Sequence, residues 1–227
     1  MRPISELTAK LGIKTRRTSL YQQAVTHPSF HSEGKGIDSD YERLEFMGDA
    51  IISLVVAELV YRHHPDFDQG MMSKTRAKLV QTEGLVALAQ NLNLVEYVRV
   101  GHSMTKAALA GSKNILEDVF EALAGAVYID QGFKVAKKVL LPMFEAMVKN
   151  IDVEAITDYK TRLQEAFQAE HRESVTYKVE EESGPAHDRY FVVSVSYDGQ
   201  VLGRGSGPSK KDAEQKAACD ALGKKAG

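Results

Sequence analysis

The chain has one cysteine, Cys219, in 227 residues. An intrachain disulfide and a four-cysteine metal site are therefore both excluded. No apolar run approaches the roughly 18 residues that would suggest a membrane-spanning helix. The N-terminus also lacks the basic-then-apolar pattern of a leader. Together these absences lead to the expectation of a cytoplasmic protein with no membrane partner. An excess of one charge is missing too: 29 Lys and Arg stand against 31 Asp and Glu, for a net charge of −2. That sum hides a local imbalance. From Gly203 to Lys225 the six basic residues Arg204, Lys210, Lys211, Lys216, Lys224 and Lys225 face only Asp212, Glu214 and Asp220. The upstream run Glu180-Glu181-Glu182 cancels the excess in the total. Partners bind surfaces rather than averages, so a basic patch survives a neutral sum.

What is present is an ordinary globular composition, 43% hydrophobic and 26% charged, in a chain long enough for one large domain or two smaller ones. Within it, Tyr41-Glu-Arg-Leu-Glu-Phe-Met-Gly-Asp49 stands out. Glu42, Glu45 and Asp49 fall at i, i+3 and i+7, on one face of a helix. Leu44, Phe46, Met47, Ala50, Ile51, Leu54 and Val55 indicate that this helix is mostly buried. Like charges on a buried helix call for a compensating cation. Ser39-Asp-Tyr-Glu42 also fits a capping box, which gives Glu42 an alternative task as a helix cap. Gly48 in a helix interior costs about 1 kcal/mol relative to alanine, so close backbone approach is expected there.

The first 150 residues read as helical throughout. Ile4, Leu7 and Leu11 form a short apolar face ended by Gly12, and a second segment runs into Thr26-His27-Pro28-Ser29. His27 reads as a structural histidine near a helix end, with a role as ligand or base as the alternative. His63 and His64 diverge by about 100° on a helix and cannot readily share an ion, so a solvated helix end is expected there. One amphipathic helix is expected over 73–90, a short extended or helical piece over 95–101, and a helix over 115–129 that Ser112 can cap. A further helix is expected over 134–150. The 115–129 helix carries Glu117, Asp118 and Glu121, and its other face is small at Ala122, Gly125 and Ala126. If the two acidic helices pack face to face, Glu45, Asp49, Asp118 and Glu121 converge. An all-oxygen anionic site selects a hard cation, Mg²⁺ or Mn²⁺, and suits phosphodiester hydrolysis. Three alternatives compete with this assignment. A di-iron bundle wants Glu-x-x-His, and here the i+3 partners are acids. A glycosidase pair faces its substrate from opposite sides. The third alternative is two solvated acidic faces.

After residue 150 the pattern changes. A linker is expected over 151–156, with Thr157 capping a helix over 158–170. Strand-like segments follow at 175–179, 190–197 and 200–204, the last two joined by the hairpin signal Asp198-Gly199. A closing helix is expected over 209–222. Lys210 and Lys211 open that helix, where backbone N–H groups and the positive end of the dipole favour phosphate.

The α-β-β-β-α order, with Gly184-Pro-Ala-His187 and the run Gly205-Ser-Gly-Pro-Ser-Lys-Lys-Asp-Ala-Glu-Gln-Lys-Ala-Ala218, resembles a double-stranded RNA-binding domain. The resemblance implies recognition of A-form shape. Gln164 and Gln168 would make the first contact, His187 the second, and Lys210 with Lys211 the third. With a duplex in view, Tyr41 to Ile52, Gly111-Ser-Lys-Asn-Ile-Leu-Glu-Asp-Val-Phe-Glu-Ala-Leu123 and Thr26-His-Pro-Ser29 resemble the ribonuclease III family across essentially the whole chain. The fold this implies is an all-α endonuclease domain over 1–150 and a small α+β RNA-binding domain over 157–227. The resemblance implies Glu45, Asp49, Asp118 and Glu121 as metal ligands. It gives Asp49 and Glu121 catalytic roles and makes Glu42 a further active-site acid. It also implies Mg²⁺ with Mn²⁺ able to substitute, no small-molecule cofactor, a homodimer, and duplex RNA cut to 5′-phosphate and 3′-hydroxyl ends in the processing of ribosomal precursors. A duplex-binding module that does not cut is the other class, and the four acids argue against it. One departure stands at Gln69-Gly70, where the family often has Glu-Gly. A neutral amide cannot replace a carboxylate charge, so Gln69 is not expected among the ligands.

Overall fold

The structure, a computed structural model, describes residues 1–33, 40–102, 104–171, 174–185 and 188–225. The chain divides into two units, Met1–Ile156 and Thr157–Gly227.

In the first unit α1 (Ile4–Lys10) stops at Gly12, whose φ of +66° suits glycine. Helix α2 (Thr18–Ala24) leads to a 3-10 turn over Pro28–Glu33. Helix α3 (Glu42–His63) is the longest in the unit, with Leu44, Ile51, Ile52, Val55, Val56, Leu59 and Val60 buried. The expected capping serine, Ser39, lies outside the described residues. Glu42 itself opens the helix, and its backbone N–H donates to Asp40 Oδ1 at 3.1 Å. Beyond the C-terminus of α3 the solvated-end expectation fails for His64. Its ring stacks on Phe67 with centroids 4.3 Å apart, and Nε2 lies 3.1 Å from the Val148 carbonyl oxygen.

The single helix expected over 73–90 is two helices, α4 (Gln69–Leu79) and α5 (Thr82–Asn91). No proline marks the break. Asp68 caps α4 by accepting from Met71 N–H at 2.7 Å, and Gly84 of α5 lets the chain fold back against the Leu79 carbonyl. The piece near residue 95 is a 3-10 turn, Leu94–Glu96, followed by a bridge between Thr26 and Arg99. Helix α6 (Lys106–Gly111) precedes α7 (Lys113–Gln131). Ser112 stands at the N-cap of α7 but makes no side-chain capping bond. Gly132, at φ +81°, turns the chain into α8 (Phe133–Lys149). Phe120 and Phe144 meet edge to face, their centroids 6.4 Å apart, and join α7 to α8. A short helix, α9 (Val153–Ile156), occupies the stretch expected to be a linker.

The second unit holds α10 (Tyr159–His171), β1 (Thr176–Ser183), β2 (Tyr190–Tyr197), β3 (Gln200–Gly207) and α11 (Lys210–Lys225). Asp158 Oδ1 accepts from Thr161 N–H at 3.1 Å at the start of α10. The strands form one antiparallel sheet in the order β1-β2-β3. Asp198 and Gly199 take φ of 46° and 76°, as a two-residue type I′ hairpin requires. Phe191, Val193 and Val195 of β2 are buried: Val195 packs with Leu163, Phe167, Ala217 and Ala218, Phe191 and Val193 pack with Ala213, and Tyr177 lies against both clusters. Strand β1 runs past the expected Val179 through a bulge into Glu181 and Glu182. Its outer face and edge are solvated, and carboxylates are tolerated there.

Candidate active site

The site begins at a crossing of two backbones. A β-carbon on Gly48 of α3 would overlap the Glu121 carbonyl oxygen of α7. One on Gly125 would overlap the Leu44 carbonyl oxygen. Only glycine at both positions lets the helices touch backbone to backbone. Gly48 pairs with Glu121 and Leu44 with Gly125, so the helices run antiparallel. Glu45 and Asp49 flank Gly48 in sequence and come to the same level as Asp118 and Glu121.

The electrostatics record that gathering. Burial pushes the Glu121 carboxyl up to about 8, helped by the charges of Asp49, Glu117, Glu45 and Asp118. Glu45 is raised first by burial, then by Asp118, Glu42, Glu117 and Asp49. Asp118 is raised by burial against the lowering pull of the Tyr41 hydroxyl, which donates to Oδ2 at 3.0 Å, and of nearby His27. Glu117 belongs to the same cluster: burial raises it, a hydrogen bond with Thr82 lowers it, and Asp118 and Glu83 raise it again. Asp49 is exposed, 3.5 Å from the Ser53 hydroxyl. Glu42 is exposed at the start of α3 and adds to the field on Glu45.

The structure thus brings Glu45, Asp49, Asp118 and Glu121 together and leaves Glu42 at the margin. It adds two residues that the sequence reading did not include in the site. Glu117 could have been found from its place beside Asp118, whereas Tyr41 carries no such signal because its acceptor lies 77 residues away. Among the described residues no three His, Cys, Asp or Glu side chains already stand as ligands round one point. The donor chemistry nevertheless fits a hard divalent cation. The donors are all carboxylate oxygens, with no nitrogen or sulfur, and their mutual repulsion is what an ion of charge +2 relieves. His27 is not part of the cluster. Its Nδ1 accepts from Ser29 N–H at 3.0 Å, and burial lowers its pKa against the fields of Asp118, Asp40 and Glu42. Gln69 opens α4 and donates to Ser73 of its own helix at 3.2 Å.

In the second unit Ser209 Oγ accepts from Asp212 N–H at 3.1 Å at the start of α11. Lys210 Nζ lies 3.9 Å from Glu182 and 5.6 Å from the centre of the Phe191 ring. Lys211 is exposed and, among the described residues, has no ion-pair partner. Lys216 pairs with Asp212 at 3.1 Å. On α10, Gln164 donates to Ser174 Oγ at 3.0 Å and Gln168 is exposed. His187 lies outside the described residues. Cys219, the lone cysteine, is half-buried.

Comparison with known proteins bears on both units. Residues 17–148 match the family model for Ribonuclease-III-like proteins, and residues 159–224 match the double-stranded RNA binding motif. The "Ribonuclease 3" of Natranaerobius thermophilus is 41% identical over 217 residues, covering 96% of this chain and 94% of that protein. This chain belongs to the ribonuclease III family. The "Ribonuclease 3" of Lactococcus lactis subsp. cremoris is likewise 41% identical, over 93% of this chain and 92% of its own length. The crystal structure of the ribonuclease III nuclease domain from Campylobacter jejuni superposes with a TM-score of 0.59 at 32% identity, covering 67% of this chain and 100% of that one. A second structure of that domain, described for flexibility in a region involved in dimer formation, gives a TM-score of 0.58. As a ribonuclease III the chain is an endoribonuclease, a metal-dependent hydrolase whose second unit is a double-stranded RNA-binding domain. Among its described residues no helix is long and apolar enough to cross a membrane.

Proposed function

We propose that Glu45, Asp49, Asp118 and Glu121 hold Mg²⁺, with Mn²⁺ able to substitute. On this reading the site hydrolyses backbone phosphodiesters of duplex RNA to 5′-phosphate and 3′-hydroxyl ends. The observation that carries it is Glu121, whose carboxyl is driven up to about 8 by burial and by four neighbouring acids. An acid cluster of that kind ionises fully only against a cation. A bound divalent ion supplies Lewis-acid charge for the phosphoryl group and a lowered pKa for water. The two helices supply the arrangement: Glu45 and Asp49 on α3 face Asp118 and Glu121 across the glycine crossing, so a phosphate can be met from both sides. Asp49 and Glu121 carry the catalytic roles. Glu42 acts as a further acid at the margin, one turn before Glu45.

The RNA-binding unit brings the substrate. Half-buried Gln164 and exposed Gln168 on α10 and exposed Lys210 and Lys211 on α11 offer the polar and cationic contacts that A-form grooves and phosphates require. His187, outside the described residues, is the remaining contact in this reading. Residues 1–150 form the nuclease domain in this reading, 151–156 the connection and 157–227 the RNA-binding domain.

A homodimer belongs to the same reading. On α3, Phe46, Leu54 and Tyr61 are 77%, 52% and 70% exposed. With Ala50 and Ala57 they make an apolar stripe along one face, and such a stripe favours a partner. Two copies related by a twofold axis present two sites to two antiparallel strands. The setting is cytoplasmic processing of ribosomal RNA precursors.

The test is a long duplex RNA incubated with the protein in Mg²⁺ or in chelator, with fragment length and end chemistry read out. Metal-dependent cutting to short duplexes with 5′-phosphates is expected, and Glu121→Gln should bind duplex but not cut it. Substantial cleavage by Glu121→Gln would sink the metal-site assignment.

A further inference from the structure

We propose that Tyr41 is a positioning residue for Asp118, and that the Thr26–Ser29 stretch serves to hold Tyr41 in place. The inference rests on the reading of Asp118 as a metal ligand. Tyr41 is 4% exposed and sits at the N-cap of α3, one residue before the acidic face begins. Its hydroxyl donates to Asp118 Oδ2 at 3.0 Å. A carboxylate on a helix can rotate about its last torsion. A buried donor on one oxygen fixes its plane, as partners behind metal ligands commonly do.

The tyrosine is itself held from behind. Its backbone N–H donates to the Thr26 carbonyl at 3.1 Å. Its ring meets the His27 ring edge-on, with centroids 5.7 Å apart. His27 is pinned in turn: Nδ1 lies 2.8 Å from Ser29 Oγ and 3.0 Å from Ser29 N, and its own N–H donates to the Arg99 carbonyl at 2.9 Å. Ser29 Oγ accepts from Gly101 N–H at 3.0 Å, and Arg99 N–H returns to the Val25 carbonyl at 2.7 Å. Two separate chain segments, 25–29 and 99–101, thus lock a ring whose one polar atom reaches the acid cluster. The Thr26-His27-Pro28-Ser29 motif thereby acts on the site without entering it.

The same helix contains a natural control. Twelve residues after Asp118, Asp130 accepts at 3.1 Å from the hydroxyl of Tyr21, which is fully buried, and Asp130 takes no part in the acid cluster. Loss of either hydroxyl removes a hydrogen bond to a carboxylate of α7, part-buried at Tyr41 and buried at Tyr21, but only loss of Tyr41's frees a proposed ligand.

The experiment titrates Mn²⁺ into the full chain without RNA, following free Mn²⁺ by its paramagnetic resonance signal, with thermal melts run in parallel. Tyr41→Phe is expected to weaken Mn²⁺ binding about tenfold, the lower end of the effect of removing such a partner. Its melting temperature should fall no further than that of Tyr21→Phe, and raised Mn²⁺ should restore its cleavage. Tyr21→Phe should bind Mn²⁺ like the wild type. Asp118→Asn separates the two readings. If it binds Mn²⁺ normally, the metal-site reading falls and this inference falls with it. If it binds weakly while Tyr41→Phe binds normally, the inference alone is overturned. Should Tyr41→Phe fail to fold, Ser29→Ala releases His27 from behind the ring: weaker Mn²⁺ binding then supports the inference and unchanged binding overturns it.

Discussion

Gly48 and Glu121 touch through their backbones, so the two acidic helices stand at a separation that any β-carbon at position 48 would enlarge. Gly48→Ala is therefore expected to shift α3 relative to α7 and spread Glu45 and Asp49 away from Asp118 and Glu121. Overpacking of this kind costs about 1–3 kcal/mol of stability. A misplacement near 1 Å at a reacting centre costs about 10²-fold in rate. Cleavage by Gly48→Ala should fall by that order, while duplex binding with Mg²⁺ withheld changes little. A variant that cuts at the wild-type rate would show that the crossing does not set the site.

The glycine, like the acids around it, was legible in the sequence because helical periodicity is local. Glu45 and Asp49 share a face by spacing alone, Asp118 and Glu121 do likewise, and Gly125 among alanines marks the side that packs. The hairpin at Asp198-Gly199 was legible for the same reason, since both residues tolerate positive φ. What depended on distant contacts was not legible. The break between α4 and α5 has no proline or glycine at Val80-Gln81; it comes from Gly84 closing on the Leu79 carbonyl. His64 looked like a solvated helix end because its carbonyl partner, Val148, lies 84 residues further on. The cap at Asp158 stands one residue from the expected Thr157, within the ordinary uncertainty of helix ends, whereas α4 begins at Gln69, four residues before the expected start at 73.

Asp130 provides a prediction about acid stability. Burial alone would raise its carboxyl. The Gln131 amide, Arg16 N–H, Tyr21 hydroxyl and Thr15 hydroxyl, all donating to Oδ2, outweigh burial and hold it below its ordinary value of 3.8. A depressed carboxylate stabilises the fold above its unfolded pKa, and that stability is lost as pH falls through the folded value. The loss therefore begins near pH 3.8 and is complete only below the lower, folded pKa. Asp130→Asn should be less stable at neutral pH by about 1–3 kcal/mol, since buried donors lose their anion. Its stability should also change less between about pH 4 and 2 than that of the wild type. Denaturant melts across that range compare the two slopes, and parallel slopes would exclude Asp130 as the source.

The α3 stripe predicts the oligomeric state. Leu54 and Tyr61, with Ala57, Met72 and Arg76, line an open cleft of about 430 Å³ between α3 and α4. Both are more than half exposed, so charging them costs the single chain little. Leu54→Glu with Tyr61→Glu should melt near the wild-type temperature yet sediment as a monomer, whereas the wild type is expected to sediment as a dimer. A doubly substituted chain that still sediments as a dimer would place the interface elsewhere.

The two lysines at the start of α11 are not equivalent, and salt dependence should separate them. Lys210 is already engaged by Glu182, which also holds Arg189 at 2.8 Å, so a phosphate must compete for it. Lys211, with no ion-pair partner among the described residues, can neutralise a phosphate without giving anything up. Each phosphate contact on duplex DNA contributes about 0.9 to the slope of log K against log salt, a guide for duplex RNA as well. Lys211→Ala should flatten the slope by nearly that amount and weaken binding to every duplex sequence alike. Lys210→Ala should flatten it less, and Glu182→Gln, by releasing Lys210, should tighten binding at low salt. Filter binding from about 50 to 200 mM salt reads all three. Equal slopes for wild type and Lys211→Ala would remove the helix start from the phosphate-binding surface.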